Sequence, residues 1–163
     1  MNGAILLAPI AAEGAIQIKE HQERWEAYHK ARRAADMVGK PLLNVGCPRK
    51  YPLKYPCGDV CLDIDLRRLY LCQSPFPKFG DVRCIPFPDG YFGAALCTHV
   101  LEHLATVADA KLALTELARV SNGQVFLAFP SKSSIAAWVH PEHHLWITQN
   151  ADGSVQIEQR RDQ

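Results

Sequence analysis

Short apolar runs recur along the chain, and several of them end on a glycine or an aspartate or just before a proline. Runs of this length that are apolar almost throughout are typical of strands buried on both faces of a parallel sheet. The pattern therefore predicts five strands, at residues 42–46, 59–65, 81–84, 91–97 and 124–129.

Before the first predicted strand, the spacing of apolar residues is helical. Residues 18–37 are rich in helix formers, with Trp25, Tyr28 and Ala35 at helical spacing, and Gly39 supplies a stop. This pattern predicts an amphipathic helix. We interpret residues 1–40 as an N-terminal helical extension or lid on a main domain that spans residues 41–163, within a single domain overall.

A second helix and a hairpin are predicted in the C-terminal half. Residues 107–120 carry an apolar stripe at three-and-four spacing, and Asn122 follows as a left-handed stop. Two alternating runs, 145–149 and 154–159, flank a turn that contains Asp152 and Gly153, which is a hairpin signal. Strands alternating with helices predict an α/β fold, a mostly parallel sheet with helices on both faces, and the hairpin is expected to add an antiparallel edge.

Composition narrows the classes of partner. The chain has 163 residues, 48% of them hydrophobic and 21% charged, with a formal net charge of +1. Such a balance provides no long-range attraction for nucleic acid or for an anionic membrane surface. Residues 1–18 lack a basic n-region and are interrupted by Pro9, which disfavours a signal peptide. We therefore expect a cytoplasmic protein with reduced cysteines.

Two residues at predicted strand ends suit a nucleotide-like cofactor. Gly46 follows the first strand, where the absence of a side chain lets the backbone approach a ligand. Asp63 lies seventeen residues further on, at the end of the second strand. In Rossmann-like domains, an acidic residue about 20 positions after the glycine turn accepts hydrogen bonds from ribose hydroxyls. An aspartate exposed to solvent at a strand end is the plainer alternative.

The most specific pattern is DVRCIPFPDGYF at residues 81–92, followed by an apolar strand and THVLEHL at 98–104. Upstream of it are LNVGC at 43–47 and CLDID at 61–65, and downstream is VFLAFP at 125–130. In this order the segments resemble those of small class I S-adenosylmethionine-dependent methyltransferases of the type 11-like group. The resemblance covers about residues 42–131 and implies a Rossmann-like fold that binds S-adenosylmethionine.

The resemblance also implies roles for individual residues around the methionine half of this cofactor. Asn44, Gly46 and Cys47 would surround the methionine portion. Thr98 and His99 would border the sulfonium and the mouth through which the acceptor enters, and His99 is a candidate catalytic base.

Four further residues would contact the nucleoside. By the same resemblance, Asp63 would hold the ribose hydroxyls and Ile64 would lie against one face of the adenine. Asp81 and Val82 would meet the amino edge of the adenine, with the aspartate accepting a hydrogen bond from the exocyclic amine.

Two departures from the family pattern leave a second hypothesis open. Pro48 stands where the family has its second glycine, which removes a backbone N–H, and Gly93 stands where it has an aspartate. A helix after the first strand is replaced by the proline-rich residues 48–56. The chain is therefore either a methyltransferase of undefined acceptor, with a small molecule favoured, or a non-catalytic cofactor- or partner-binding domain with a degenerate glycine loop.

The remaining candidates are interpreted more plainly. Glu102 and His103 are expected to cap and pack a helix start, and His143, after the fifth strand, is a weaker candidate base on the acceptor side. The histidines at 140–144 together with Cys57 and Cys61 do not match the ligand spacing of common zinc sites, so no metal is predicted. These histidines are expected to line the acceptor side instead. The acceptor cannot be specified further; nucleic acid is disfavoured, no membrane association is expected, and a homo-oligomer is compatible with the sequence.

Overall fold

The computed structural model describes residues 3–47, 57–150 and 152–160, and these form a five-stranded parallel sheet with helices on both faces. The strands are β1 (Leu42–Val45), β2 (Val60–Asp63), β3 (Phe76–Phe79), β4 (Ala94–Thr98) and β5 (Val125–Ala128). They lie in the order β3-β2-β1-β4-β5, and every adjacent pair is parallel. This order confirms the predicted Rossmann-like fold. Successive strands are added on one side of β1 up to β3 and then on its other side from β4, so the topological switch point lies between β1 and β4.

The helices are α1 (Gly3–Met37), α2 (Leu66–Tyr70), α3 (Val107–Ser121) and α4 (Ile135–Val139), with a 3-10 helix at Leu101–His103. Alternate residues of a strand point to opposite faces of a sheet. On one face, Leu43 and Val45 pack with residues of α3, and on the other, Leu42 packs with residues of α1. No helix among the described residues is long and apolar enough to cross a bilayer.

The prediction for α3 is confirmed. Val107 starts the helix, Ala110 and Leu117 are fully buried, and Leu114 packs against the same core. Its C-cap, Asn122, adopts the left-handed conformation with φ of 50°, as predicted.

Helix α1 is longer than predicted and packs through different residues. Its buried positions in contact with the sheet are Ala27, Ala31 and Ala35, whereas Trp25 and Tyr28 are only partly buried. Small side chains let the helix approach the sheet closely. The amphipathic pattern was therefore right about Ala35, while the aromatic residues lie at the border of the contact.

This close approach explains Gly93, the residue where the family pattern has an aspartate. A β-carbon on Gly93 would lie 2.7 Å from the Cα atom of Ala35 and 2.8 Å from Cγ2 of Val38. Because the nearer atom belongs to helix backbone, it cannot move aside as a flexible side chain would. Close packing of α1 against the sheet therefore requires glycine at this position.

We expect Gly93→Ala to lower the free energy of unfolding by about 1–3 kcal/mol, because the added methyl group overpacks the contact with α1. The matched control is Gly14→Ala, since Gly14 lies in the same helix with no atom within 4 Å of an added β-carbon. That change is expected to stabilise the protein by up to about 1 kcal/mol. Urea unfolding of both variants tests the pair, and equal stability of Gly93→Ala and wild type would contradict the packing argument.

The predicted strand at 81–84 is wrong. Residues Asp81 and Cys84 close a turn, in which the Cys84 N–H donates to the Asp81 carbonyl at 3.0 Å. The third strand is instead Phe76–Phe79, at the edge of the sheet, and all four of its residues are exposed. A fully exposed strand containing a proline carries no burial pattern that a sequence could display.

The predicted hairpin forms from β6 (Leu145–Gln149) and β7 (Val155–Gln159), which pair antiparallel. Its expected position at the edge of the main sheet is wrong, because the two strands make a separate sheet. Leu145 and Ile147 are buried in the same core cluster as Leu117 of α3. Because these apolar side chains are buried on the α3 side, the hairpin lies over the face of the sheet that α3 covers.

Candidate functional site

A cleft of about 550 Å³ opens at the carboxyl ends of β1, β2 and β4. This is the place where the strand order reverses, and open α/β sheets bind ligands there. Its volume falls in the range of small-molecule sites. The cleft brings together most of the predicted cofactor residues, namely Gly46, Asp63, Ile64, Asp81, Val82 and His99.

The turn after β1 is shaped by Gly46. Its φ is +82°, and a β-carbon there would lie 2.5 Å from Cγ2 of Val100. The Gly46 N–H donates to the carbonyl of Leu62 at 2.9 Å, and the side-chain amide of Asn44 donates to the Gly46 carbonyl at 2.7 Å. Both the conformation and the lack of space require glycine at this position.

Asp63 ties this turn to the end of β2. One carboxylate oxygen accepts from the Cys47 N–H at 2.7 Å, and the other accepts from the Asp65 N–H at 2.8 Å. The side chain is nearly buried and still lines the cleft. Because a carboxylate can accept about four hydrogen bonds, two lone pairs remain available on the side of the cleft.

Asp81 also lines the cleft and forms an ion pair. Two nitrogens of the Arg83 guanidinium donate to the Asp81 oxygens, at 2.6 Å in the shortest contact, and the third nitrogen donates to Asp109 at 2.9 Å. These hydrogen bonds from Arg83 hold the pKa of Asp81 below its usual value. Asp81 is therefore ionised but largely occupied, and Arg83 was not foreseen from the sequence.

His99 and Glu102 form a buried polar pair beside the cleft. His99 has a φ of +53°, an unusual conformation for a residue with a β-carbon. Its Nδ1 atom lies 3.6 Å from an oxygen of Glu102, and its Nε2 atom is buried without a hydrogen-bond partner among the described residues. His99 itself lines the cleft.

Burial keeps both members of this pair uncharged at neutral pH. Desolvation lowers the pKa of His99 well below 6.5, with positive charge nearby adding to the effect. The same cause raises the pKa of Glu102, which is only 1% exposed, to about 8. The 3.6 Å between the His99 Nδ1 atom and Glu102 is too long for a hydrogen bond, and neither carboxyl oxygen of Glu102 has a hydrogen-bond partner among the described residues. The predicted capping role of Glu102 did not anticipate this burial.

Four predicted residues lie outside the lining that the described residues form. Asn44 and Cys47 sit behind the Gly46 turn, and Thr98 ends β4 one residue before His99. His143 stacks on His140 with ring centroids 4.3 Å apart. Desolvation and neighbouring histidines lower its pKa to about 4. Pro48 and the proline-rich residues after it lie outside the described part of the chain.

The second wall of the cleft includes His144, one of the histidines after the fifth strand that were expected to line the acceptor side. His103, Glu142 and His144 line it, and the backbone carbonyl of Glu142 contacts the His103 Nδ1 atom at 3.0 Å. The motif around 98–104 pointed to His103, but only as a helix start. No local pattern links it to residues forty positions away.

A parallel sheet with this strand order, a glycine turn after β1 and an aspartate at the end of β2 define a Rossmann-like domain. The family model described as "Methyltransferase domain" matches residues 43–129, more than half of the chain. The chain therefore belongs to this methyltransferase family, and the resemblance to class I S-adenosylmethionine-dependent methyltransferases is confirmed.

Solved structures show similarity at low sequence identity. A protein of Pyrococcus horikoshii OT3 is 13% identical over 80% of this chain and 74% of that chain, with a TM-score of 0.46. An S-adenosylmethionine-dependent methyltransferase of Methanosarcina mazei is 14% identical over 74% and 72%, with a TM-score of 0.45. One from Mesorhizobium loti is 14% identical over 74% and 57%, with a TM-score of 0.39. No curated protein matches the chain.

Proposed function

We propose that the chain binds S-adenosylmethionine in this cleft and transfers its methyl group to a small-molecule acceptor. The observation that carries the proposal is the convergence of Gly46, Asp63 and His99 on one cleft at the carboxyl ends of the strands. Membership of the methyltransferase family supports the class of reaction.

The nucleoside half of the cofactor fits the residues around β2 and β3. Asp63 keeps lone pairs for the ribose hydroxyls after satisfying the two backbone amides. Ile64 is 63% exposed and lines the cleft, so it offers an apolar surface to one face of the adenine. Val82 is buried and borders the same space.

The methionine half fits the Gly46 turn. The positive φ and missing side chain of Gly46 leave the backbone open to a ligand, and Asn44 holds the turn from behind. When bound, S-adenosylmethionine supplies a methyl group already activated by its sulfonium, so alignment of the acceptor provides much of the rate.

We assign His99 as the base that takes the acceptor's proton. His99 lines the cleft, its buried Nε2 atom has no hydrogen-bond partner among the described residues, and its Nδ1 atom lies 3.6 Å from Glu102. The acceptor would lose one proton to Nε2 as its nucleophilic atom gains the methyl group. His143, the weaker candidate, lies behind His103, which lines the cleft. The centroids of the two rings are 4.8 Å apart.

The walls favour a small acceptor. His103, Glu142 and His144 line the cleft together with Asp63 and Asp81, so the acceptor enters a space that these residues bound. The near-neutral net charge supplies no field to attract a nucleic acid.

A specific observation favours the alternative of a binding domain without catalysis. Arg83 occupies both oxygens of Asp81, the residue that would accept from the adenine amine. Unless Arg83 moves away from Asp81 when the cofactor binds, Asp81 cannot accept a hydrogen bond from the adenine amine. Binding of cofactor without transfer to any acceptor would support this alternative.

We expect the wild-type protein to bind S-adenosylmethionine and S-adenosylhomocysteine with dissociation constants on the order of 1–100 μM, typical of enzyme ligands. Isothermal titration calorimetry with each ligand measures this, and labelled S-adenosylmethionine then reports transfer to a panel of small acceptors. Absence of heat with both ligands, in protein that is folded by circular dichroism, would overturn the proposal.

A further inference from the structure

Four of the six cysteines meet at one place, although they span residues 47–72 of the chain. Cys47 follows β1, Cys57 precedes β2, Cys61 lies within β2 and Cys72 follows α2. The sulfurs of Cys47, Cys61 and Cys72 all lie within 4.8 Å of one another, and the sulfur of Cys57 is 3.9 Å from that of Cys72. The fold therefore gathers four thiols on the α1 side of the sheet, behind the Gly46 turn.

The size of this cluster suits a single metal ion. Zinc binds four thiolates tetrahedrally with Zn–S bonds of about 2.3 Å, which places neighbouring sulfurs about 3.8 Å apart. The separation of 3.9 Å between Cys57 and Cys72 matches that edge. The sulfurs of Cys47 and Cys61, at 2.7 Å, are closer than this and farther apart than the about 2.05 Å of a disulfide.

The surroundings of the cluster donate hydrogen bonds to sulfur, as the outer shell of a metal site does. The side-chain amide of Asn44 donates to the sulfur of Cys61 at 3.5 Å, and the Ser74 N–H donates to the sulfur of Cys72 at 3.4 Å. Cys47 and Cys61 are at most 1% exposed, and Leu69 packs over them. Cys57 and Cys72 are partly exposed beside this buried pair, and four thiolates in such surroundings would need a cation to balance their charge.

We propose that Cys47, Cys57, Cys61 and Cys72 bind one zinc ion in a closed tetrathiolate site. Four thiols would release four protons as one Zn²⁺ ion binds, and no redox step is involved. With all four positions filled by protein, the ion has no open position for a substrate, so its role is structural.

The site would hold the cofactor turn in place. Cys47 directly follows Gly46, and its N–H is the donor to Asp63. A metal bond at Cys47 therefore fixes the backbone on which the cleft depends, from a position outside the cleft itself. Sequence spacing did not predict this site, because the structure places Cys61 with Cys47 and Cys72, and Cys57 beside Cys72, rather than with the histidines at 140–144.

Metal analysis of the purified protein tests the proposal directly, without S-adenosylmethionine, so its outcome is independent of the proposed function. We expect about one zinc per chain in wild type, falling below about a tenth in Cys57→Ser and Cys72→Ser. The matched control is Cys84→Ser, because Cys84 is an exposed thiol outside the cluster, and it should keep the full zinc content.

A second measurement on the wild-type protein covers the case in which the variants fail to fold. Zinc released by a mercurial and replaced by cobalt should restore a tetrahedral cobalt spectrum with a thiolate-to-metal charge-transfer band. Folded wild type that purifies without zinc from zinc-supplemented medium and shows no such band with cobalt would overturn the proposal. Detection of a Cys47–Cys61 disulfide by mass spectrometry would do so as well.

Discussion

Replacing Asp63 by alanine is expected to weaken the binding of S-adenosylmethionine by about 100-fold or more. The carboxylate accepts the backbone N–H groups of Cys47 and Asp65 and retains lone pairs for the ribose. Each hydrogen bond to a charged group contributes about 1.5–3 kcal/mol, so losing two such bonds to the ligand alone accounts for a change of this size. Calorimetric titration of wild type and variant measures it.

The control separates the ligand contact from general loss of charge. Asp89→Ala removes an aspartate whose side chain is 80% exposed and which pairs with Arg119 outside the cleft, so its affinity should equal that of wild type. Asp63→Asn keeps one acceptor for the turn and should fold better than the alanine variant while still binding poorly. A folded Asp63→Ala protein with affinity within about threefold of wild type would show that Asp63 has no direct role in binding.

Glu102→Gln is expected to make the protein more stable than wild type at neutral pH, by about 3 kcal/mol. Burial raises the pKa of Glu102 from 4.5 to about 8. A folded pKa above the unfolded value means that the protonated carboxyl contributes its full stability below pH 4.5, and that this contribution is lost as the pH rises towards 8. Each pH unit in that window costs the native state about 1.4 kcal/mol, and an uncharged glutamine of the same shape avoids the cost.

The pH dependence distinguishes this mechanism from a simple change of packing. The stability difference between Glu102→Gln and wild type should be small near pH 4.5 and should grow up to about pH 8, as followed by urea unfolding across this range. His99, Arg24 and Glu20, which interact electrostatically with Glu102 or with its partner, are common to both proteins. Glu26→Gln, at a side chain 70% exposed, is the control and should show no such trend. A constant difference at all pH values would refute the assignment of a buried, protonated Glu102.

Helix α1 links the sheet to the segment after β5 that contributes to the cleft. Helix α1 is seated on the sheet because Gly93 leaves room for Ala35, and the same helix hydrogen-bonds the segment after β5 through Glu13 and Glu20. That segment leads to Glu142 and His144 on the second wall of the cleft. The departure from the family pattern at Gly93 therefore belongs to the packing of the N-terminal helix, outside the lining of the cleft.

The sequence by itself determined the central strands, α3 and the cofactor edge of the sheet. Buried parallel strands and a helix with one apolar stripe reveal themselves through local periodicity, so β1, β2, β4, β5 and α3 could be found without a structure. The carboxyl ends of parallel strands meet at one edge. Once the strands were recognised, it followed that Gly46, Asp63 and His99 lie together.

Only the tertiary structure decided the features that depend on residues distant along the chain. Exposed β3 has no burial pattern, and the place of the hairpin over α3 is a choice between two apolar surfaces. The burial of Glu102 depends on elements far from it in sequence. The four-cysteine cluster likewise arises because β1, β2 and the end of α2 pack side by side. Periodicity shows which side of an element is buried, but it does not show which side chains from distant parts of the sequence pack against that side.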